Sequence, residues 1–473
     1  MQLLDVLLHI LMSVTLFIFI YNIIYSVLTL LFIIASAFSL SDFVMNRLHM
    51  RSLNLNYQNS YIPISILVPA YNESVTIVSS IESLLHLDYP GYEIIIVNDG
   101  SKDGMENLII EHFGLHKVLK PIRRSIASKP WSSVYEADID HIKITLINKE
   151  NGGKADALNM GINASSFPLF VAMDADSILQ ANALKRIVYH FVKSEKTIVV
   201  GGNIKVGNNC TLKNGIISKI SLSLNPLIIF QTIEYLRVFL SSRVAFNLFN
   251  SNLIISGAFG LFKKEAVIEV GGYDTNTIGE DMELIMRLHE HNILRGNQYI
   301  IHYAPDAICY TQSPEDLKSL KSQRMRWHIG LMDSIIKYRH VIFNKKYKAL
   351  GFIPVSYYAL FEVGAPIIDL LGFILIPISY LAGSISFEIL LFYFLCFSFY
   401  NISISFVSIC FEIYLFKAPF TVPMVVQLIL FSVIECLGYR QICSVFRILG
   451  MIRYKKARRT WGKIHRVKTE YNQ

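Results

Sequence analysis

Acidic residues with spacings suited to phosphate chemistry occur at three places along this 473-residue chain. Asp99 directly follows an apolar run, and the pair Asp174 and Asp176 follows a second one. Glu280 and Asp281 come later, after a glycine-rich segment and before a helical pattern. Carboxylate oxygens are the ligands that Mg²⁺ and Mn²⁺ prefer, and these ions commonly share the oxygens of a bound phosphate. A further carboxylate can act as a general base, the role predicted for Asp281.

Each of these groups alone has an ordinary structural explanation. Asp99 followed by Gly100 is common turn chemistry, and a lone pair such as Asp174 and Asp176 is often part of a solvated loop. Acids such as Glu280 also favour the positive end of a helix. Since three of the acids follow predicted strands, we favour a binding or catalytic site.

A basic and aromatic group lies further along, on a helical pattern. Arg326 could bind phosphate through two parallel hydrogen bonds, and Trp327 could stack on the apolar face of a sugar ring. Gln323 lies on the same predicted helix. The ordinary alternative is a surface arginine beside a tryptophan at a membrane interface, so this group alone does not decide between the two.

The polar middle of the chain alternates between strand and helix patterns. Apolar runs that end in turn residues predict strands at 64–68, 93–97, 142–147, 169–173 and 197–200. Helical periodicity predicts helices at 72–85, 154–164, 181–192 and 282–288. Asn72 or Ser74 is the expected cap of the first helix, and the stretch 117–140 is expected to be irregular. The alternation predicts an α/β fold with a mostly parallel sheet and helices on both faces.

The predicted strand ends explain why residues far apart in sequence could form one site. In sheets of this kind, ligands bind beyond the carboxyl ends of the strands. Pro69, Asp99, Asp174 and Asp176 all lie at such ends in this prediction. We therefore expect these side chains to converge at one edge of the sheet.

Both ends of the chain are strongly apolar, and 53% of all residues are hydrophobic. Residues 3–40 form an apolar run longer than the ~20 residues that cross a bilayer. Since a removed signal peptide has a shorter apolar core and a small-residue cleavage site, we interpret this run as an anchor. Three further apolar segments, at 351–381, 387–410 and 422–437, predict an integral, multi-pass protein of the plasma or inner membrane.

Charge orients the predicted spans. Residues 440–473 hold ten Lys or Arg side chains and one acid, Glu470, and basic segments beside spans stay in the cytoplasm. Arg47 and Arg51 place the large polar region on the same side, which requires an even number of crossings before the tail. We therefore expect residues 422–437 to lie in the interface or inside the bundle. Three crossings with an external tail is the rival topology.

The basic tail is expected to meet anionic lipid headgroups and not nucleic acid, because no RNA- or DNA-binding motif accompanies it. The six cysteines form no C-x-x-C pair, so neither a zinc site nor a disulfide framework is indicated. The predicted organisation is an N-terminal transmembrane anchor at 1–50, a cytosolic domain with interface helices at 51–350, transmembrane or interface helices at 351–440, and a basic cytosolic tail at 441–473.

Taken in order, the motifs resemble those of the processive family 2 glycosyltransferases, the group of cellulose, hyaluronan, chitin and poly-N-acetylglucosamine synthases. The resemblance runs from about residue 64 to the C-terminus. It rests on V-P-A-Y-N-E at 68–73, N-D-G-S at 98–101, N-G-G-K-A at 151–155 with Leu158 and Asn159, D-A-D at 174–176, G-E-D at 279–281 and Q-R-M-R-W at 323–327. It implies a Rossmann-like domain of the GT-A type resting on interface helices.

The resemblance implies roles for individual residues. The nucleotide would be bound by Ala70, Tyr71, Glu73, Asp99, Lys154 and Asp174, the first four at uridine. Asp176 would hold the metal ion, Mg²⁺ or Mn²⁺. The catalytic pair would be Glu280 and Asp281, with Asp281 as the base. The diphosphate and the acceptor sugar would be contacted by Gln323, Arg326, Trp327 and Gly257.

The implied reaction is inverting transfer from a UDP-sugar to a growing β-linked polysaccharide, coupled to export by the spans. Membrane lipids and an export or accessory subunit are the implied partners. Transfer of one sugar to a lipid acceptor and a catalytically silent nucleotide-binding subunit are the alternatives. The sugar itself is not identified by the sequence.

Several features depart from the family pattern. The gating loop F-x-V-T-x-K of cellulose synthases does not follow Trp327, and activation by cyclic di-GMP is not expected. The spans are fewer than in hyaluronan synthases. The groups E-Y-L-R at 234–237 and G-Y-R-Q at 438–441, together with Glu435, resemble features of an uncharacterised bacterial branch.

Overall fold

The computed structural model describes residues 2–53, 61–208, 210–213, 216–240, 242–416 and 420–457. The chain divides into two compact units. Unit 1 comprises residues 1–42, 224–248 and 314–464, and unit 2 comprises residues 43–223, 249–313 and 465–473. The last part of the basic tail, including Arg458 and Lys468, lies outside the described residues, so its contact with lipid stays a prediction.

The helices and strands have the following bounds. The strands are β1 (Ile64–Ala70), β2 (Tyr92–Asn98), β3 (His116–Val118), β4 (Trp131–Ile139), β5 (Ile142–Lys149), β6 (Leu169–Ala172), β7 (Ile178–Leu179), β8 (Thr197–Val206), β9 (Cys210–Lys213), β10 (Ile216–Ile220), β11 (Gly260–Lys263) and β12 (Ile300–Thr311). The α-helices are α1 (Gln2–Leu53), α2 (Ile77–Leu85), α3 (Met105–Phe113), α4 (Lys154–Ala164), α5 (Ala183–Lys193), α6 (Pro226–Leu240), α7 (Ser242–Asn247), α8 (Lys264–Glu269), α9 (Glu280–Arg295), α10 (Leu317–Lys337), α11 (Lys348–Leu350), α12 (Ala365–Leu381), α13 (Phe387–Phe416), α14 (Val422–Ile434) and α15 (Tyr439–Ala457).

Unit 2 is built on a ten-stranded sheet in the order β3-β4-β5-β2-β1-β6-β11-β8-β12-β7. Strands β5, β2, β1 and β6 run parallel to one another, as do β8 and β12. The remaining pairings are antiparallel. Among them, β11 lies between β6 and β8, and β4 forms a hairpin with β5. The α/β fold is confirmed, but the sheet is mixed and not mostly parallel.

The five predicted strands are all present, four of them within two residues of their expected bounds, whereas β8 continues six residues beyond its predicted end. The expectation of an irregular stretch at 117–140 is wrong over β4. This strand is half-buried, with Val134 and Ala137 buried, and the polar residues around them obscured the alternation. Pairing along the whole length of β5 stabilises it.

The start of α2 also differs from the prediction. The helix begins at Ile77, after Thr76, and no side chain caps it. The predicted cap Asn72 instead accepts a hydrogen bond from the Lys102 amide at 2.8 Å, and the Ser74 amide donates to Asp103 at 2.8 Å. These residues link the loops after β1 and β2 and therefore cannot serve the helix.

The core of unit 2 lies between the sheet and α4. From Ala155 onward every residue of this helix is buried, and Leu158 packs in one cluster with Leu67 of β1 and Ile95 of β2. Complete burial of one such side chain contributes about 1.5–3 kcal/mol. Because α4 begins directly after the N-G-G-K loop, this packing sets the position of the loop.

Unit 1 contains the apolar helices. Among the described residues, Val6–Leu40 and Phe387–Tyr414 are long and apolar enough to cross a membrane. Two bent helix pairs also qualify if each counts as one span: Lys345–Glu362 with Ala365–Leu381, and Val422–Leu437 with Tyr439–Lys455. The second pair bends by 53°, so whether residues 422–437 cross stays a prediction.

Gly202 in β8 provides a test of the packing around the sheet. A Cβ atom at this position would lie 2.1 Å from the Phe259 ring and 2.9 Å from the Ala307 carbonyl oxygen. We expect Gly202→Ala to destabilise unit 2 by about 1–3 kcal/mol through overpacking. The apparent melting temperature of the detergent-purified chain, followed by intrinsic fluorescence, measures this change.

Gly91→Ala is the matched control. A Cβ atom there would meet Tyr61 at 3.5 Å, an ordinary contact, so we expect a melting temperature close to that of the wild type. Equal melting temperatures for the two variants would contradict the packing described around Gly202.

Candidate functional site

Three neighbouring strands of unit 2 end at the same edge of the sheet. Strands β2, β1 and β6 are adjacent and parallel, with Asn98 opposite Ala70 and Leu67 opposite Ala172. The Asp99 amide donates to the Ala70 carbonyl oxygen at 2.9 Å. The residues that follow these strands therefore lie along one edge, as the sequence predicted.

The loop after β1 is held at this edge by the loop after β2. The Asn72 amide donates to the Ser101 hydroxyl at 3.0 Å, and the Asn98 side chain accepts from the Ser101 amide at 3.0 Å. Tyr71 lies in the fixed loop with 46% of its surface exposed. Its ring is therefore accessible to a ligand, while its backbone is held in place.

Asp99 is almost completely buried and holds the N-G-G-K loop. Its carboxylate accepts hydrogen bonds from the amides of Gly152 at 2.9 Å and Gly153 at 2.7 Å. The ammonium of Lys149 lies 2.6 Å from the same carboxylate and 2.6 Å from that of Asp156, with its side chain fully buried. One buried cation thus pairs with two buried acids and connects the end of β5 to α4.

Lys154 extends from the first turn of α4 into the acidic group. Its ammonium donates to the Asp174 carboxylate and lies 3.4 Å from the Gly257 carbonyl oxygen. Burial alone would lower the pKa of Lys154, but the charges of Asp174, Glu280 and Asp281 raise it above its ordinary value. Lys154 therefore carries a positive charge where these three acids converge.

Asp281 lies in the first turn of α9, beside the loop that contains Gly257. Its carboxylate accepts hydrogen bonds from the Met282 amide at 2.8 Å and the Gly257 amide at 3.3 Å. A Cβ atom at Gly257 would lie 2.8 Å from the Lys154 ammonium, so a side chain at this position would displace the ammonium. These two amides hold the carboxylate at the start of α9.

Asp176 lies at a cleft that polar and apolar residues line together. The cleft is lined by Thr76, Ser79, Ser80, Asp176, Ile178, Gly207, Cys210, Tyr310, Thr311 and Gln312. Within the described residues, no three His, Cys, Asp or Glu side chains are grouped closely enough to hold a metal ion. Because Mg²⁺ is usually bound through one or two carboxylates plus waters and substrate phosphates, Asp174 and Asp176 fit such an ion when a diphosphate supplies further oxygens.

Two residues of this site were missed in the sequence. Lys149 looked like an ordinary strand-terminal lysine, and only the fold shows that it is buried between two acids. Tyr273 is also buried, and burial together with the charges of Asp281 and Glu280 raises the pKa of its hydroxyl well above the ordinary value. The Asn159 side chain forms two hydrogen bonds with the Tyr273 backbone. Asn159, which was noted with the N-G-G-K-A motif, was therefore the one sequence feature that pointed to Tyr273.

Three of the predicted site residues belong to unit 1. Gln323, Arg326 and Trp327 all lie on α10. Gln323 is buried, and Trp327 has 43% of its surface exposed. Within unit 2, the structure therefore brings together Lys154, Asp174, Gly257, Glu280 and Asp281. The three residues of α10 belong to the other unit.

Two family descriptions match the sequence. The sequence matches the family described as Glycosyl transferase family 2 over residues 65–271 and the family described as Glycosyl transferase family group 2 over residues 169–416. Because the second match covers more than half of the chain, the protein belongs to the glycosyl transferase family group 2. The mixed α/β sheet is accordingly the GT-A type of these enzymes, as the resemblance implied.

Two curated relatives carry the same description. The chain is 36% identical over 267 residues to the poly-beta-1,6-N-acetyl-D-glucosamine synthase of Staphylococcus aureus, covering 56% of this chain and 54% of that protein. It is 32% identical over 289 residues to the synthase of the same description from Staphylococcus epidermidis, covering 61% and 59%. The chain thus spans little more than half the length of these relatives.

A solved structure is also similar to this chain, at a lower sequence identity than the two synthases. It is a mannosyltransferase from Pyrobaculum calidifontis in complex with GDP-Man and Mn²⁺, 14% identical, with a TM-score of 0.49. The similarity covers 91% of this chain and 98% of that one.

Lys149 provides a test of the buried charge arrangement. Lys149→Met leaves the carboxylates of Asp99 and Asp156 buried without their cation, and breaking a buried pair in this way costs about 3–5 kcal/mol. We expect a clear fall in the apparent melting temperature of the detergent-purified chain.

Lys143→Met on the same strand is the control for this test. Its ammonium pairs with Glu136 at 2.7 Å, but the side chain is 42% exposed, so the loss should be about 0–1 kcal/mol. A Lys149→Met protein as stable as the Lys143→Met protein would contradict a structural role for the buried lysine.

Proposed function

We propose that this protein is a membrane-embedded inverting glycosyltransferase that extends a β-linked polysaccharide from a UDP-sugar. The observation that carries the proposal is the convergence of Lys154, Asp174 and Asp281 at one edge of the sheet. The names of the curated relatives support poly-β-1,6-N-acetylglucosamine as the product, and we propose UDP-N-acetylglucosamine as the donor. The alternative is transfer of a single sugar to a lipid. A polymer product would exclude this alternative, and a product with one added sugar would support it.

Asp281 is the proposed general base. Its carboxylate takes the proton from an acceptor hydroxyl while the hydroxyl oxygen attacks the anomeric carbon of the donor. The bond from that carbon to the diphosphate breaks in the same step, and UDP leaves with the electron pair. One displacement inverts an α-linked donor into a β-linkage. The amides of Gly257 and Met282 orient the carboxylate for this proton transfer.

Glu280 precedes the base at the start of α9 and is proposed to support it. Its charge acts on Lys154 together with those of Asp174 and Asp281. Lys154 is proposed to turn from Asp174 toward the diphosphate when the donor binds, since both are anionic partners for the same ammonium. Positioned cations of this kind stabilise the charge that develops on a leaving group.

Asp174 and Asp176 are the residues that would hold Mg²⁺ or Mn²⁺. When bound, the divalent ion neutralises the diphosphate and so makes it a better leaving group. The support is the donor set itself: two carboxylates, one beside Lys154 and one at a cleft.

The uridine is proposed to bind at the ends of β1 and β2, through Ala70, Tyr71, Glu73 and Asp99. The exposed ring of Tyr71 supports a stacking contact. The Asp99 carboxylate already holds the amides of Gly152 and Gly153, so part of its effect on the nucleotide is proposed to act through that loop. Gln323, Arg326 and Trp327 are proposed to bind the diphosphate and the acceptor sugar, as the family resemblance implies.

The membrane assignment is part of the same proposal. The apolar helices Val6–Leu40 and Phe387–Tyr414 support an integral membrane protein. A cytosolic catalytic domain follows from the basic residues beside the spans. Export of the polymer, with or without an accessory subunit, is proposed from the family resemblance.

Asp281→Asn tests the base. The amide keeps the shape of the side chain but cannot accept the proton, so we expect turnover to fall by about 10²–10⁴-fold, while binding of UDP is unchanged. UDP release from UDP-N-acetylglucosamine and UDP binding by calorimetry measure the two effects. Glu290→Gln, on the same helix, is the control and should keep wild-type turnover. Normal polymer formation by Asp281→Asn would refute the assignment.

Asp176→Ala tests the metal site separately. We expect UDP affinity in Mn²⁺ or Mg²⁺ to fall to the level that the wild type shows in EDTA, because the ion then lacks a protein carboxylate. Calorimetric titration of UDP with and without the ion measures this. Metal-dependent UDP binding that survives the substitution intact would argue that Asp176 is not a ligand.

The donor panel tests the substrate. UDP release is measured with UDP-glucose, UDP-N-acetylglucosamine, UDP-glucuronate and UDP-galactose, and the product is sized in parallel. A high-mass product from UDP-N-acetylglucosamine alone is the expected result. A short lipid-linked product would support glycolipid synthesis, and UDP binding without release from any donor would support a silent subunit.

A further inference from the structure

Two sequence groups outside the family motifs, E-Y-L-R at 234–237 and G-Y-R-Q at 438–441, meet in unit 1. Glu234 and Arg237 are three residues apart on α6 and so lie on the same face of the helix. Glu234 contacts Tyr439 at the start of α15, and Arg237 contacts Glu435 just before the bend. The two unassigned groups therefore form one connected arrangement of buried charges.

Glu234 forms a bidentate ion pair with Arg324 of α10. The two terminal nitrogens of the guanidinium donate to the two carboxylate oxygens at 3.0 and 2.8 Å. Arg324 is only 2% exposed. The Tyr439 hydroxyl donates to the same carboxylate at 2.9 Å, and Arg447 lies 3.6 Å from it. The paired forks give this contact a defined orientation, which a single-point contact would lack.

Arg324 also covers one face of Trp327. The guanidinium carbon lies 4.7 Å from the centre of the indole ring, within the range of a cation–π contact. The Tyr235 ring lies 6.4 Å from the indole. Because Arg324 is held by Glu234, the indole is held in one orientation while 43% of Trp327 stays exposed.

The helices that carry this arrangement also approach closely. A Cβ atom at Gly450 of α15 would lie 3.1 Å from the Met325 carbonyl oxygen of α10. Arg237 donates to the Ser405 hydroxyl at 2.9 Å as well as to Glu435, and Arg440 donates to Asn401. The helix α6 is thus connected to α10 through Glu234 and to the bend between α14 and α15 through Arg237.

We propose that Glu234, Arg324 and Tyr439 are positioning residues that orient the Trp327 indole for contact with the acceptor saccharide. This inference rests on the proposed function. None of the three is proposed to touch the donor or the reacting atoms. We expect them to affect elongation and not donor binding, because the indole that they orient is proposed to contact the acceptor saccharide.

The variant that tests this is Glu234→Met/Arg324→Met. Replacing a buried ion pair by apolar side chains of similar volume commonly preserves folding, whereas it removes the guanidinium from the indole. The background carries Trp131→Phe and Trp461→Phe, which leaves Trp327 as the one tryptophan. Lys318→Met, an exposed substitution on α10, is the control.

We expect the double variant to keep the wild-type KM for UDP-N-acetylglucosamine and to lose elongation of a short β-1,6-linked glucosamine primer by about tenfold or more, since a misplacement of about 1 Å can cost ~10²-fold. The fluorescence of Trp327 should change in intensity or wavelength as its cation and fixed orientation are lost. Arg324→Lys, which keeps the charge but not the fork, should fall between the double variant and the wild type.

The outcomes are distinguishable. Wild-type elongation with unchanged Trp327 fluorescence in the double variant overturns the positioning role. An equal fall in elongation for Lys318→Met also overturns it, because the effect is then not specific to the pair. If the unmodified protein releases no UDP with any donor, the proposed function fails, while the fluorescence of Trp327 still tests whether Arg324 orients the indole.

Discussion

The buried ammonium of Lys149 is the contact on which the site depends. It lies between the carboxylates of Asp99 and Asp156, and without a cation two acids could not be buried side by side. Asp99, paired with this cation, accepts hydrogen bonds from the amides of Gly152 and Gly153. The loop then delivers Lys154 from the first turn of α4 to Asp174. A single interior charge thus connects the end of β5 to the position of a proposed catalytic cation.

A buried cation paired with carboxylate also occurs in unit 1. There a buried arginine, Arg324, is neutralised by Glu234, and the ion pair determines where an aromatic ring lies. In both units the buried pair is geometrically demanding, and in both it lies directly beside residues proposed to contact substrate. Since hydrophobic contacts are non-directional, such pairs define the orientation of a loop or a ring better than apolar packing alone.

Much of unit 2 could be predicted because its signals are local. Strands such as β1 and β2 are short apolar runs that end in turn residues, and α4 was predicted with its observed bounds. The convergence of Asp99 and Asp174 followed from the rule for parallel strands. The irregular assignment over β4 was wrong, because its half-buried residues depend on pairing with β5 for stability. The cap of α2 was wrong because Asn72 bonds across to the next loop.

The sequence by itself determined the glycosyltransferase class, the order of the acidic motifs and the apolar ends, since residue type and spacing carry that information. Only the tertiary structure decided that Asp99 supports a loop, that Lys149 is its buried counter-ion and that Glu234 pairs with Arg324. These pairs join residues 50 and 90 positions apart. Sequence patterns report periodicity within one element, whereas the neutralisation of a buried charge depends on which distant elements pack together.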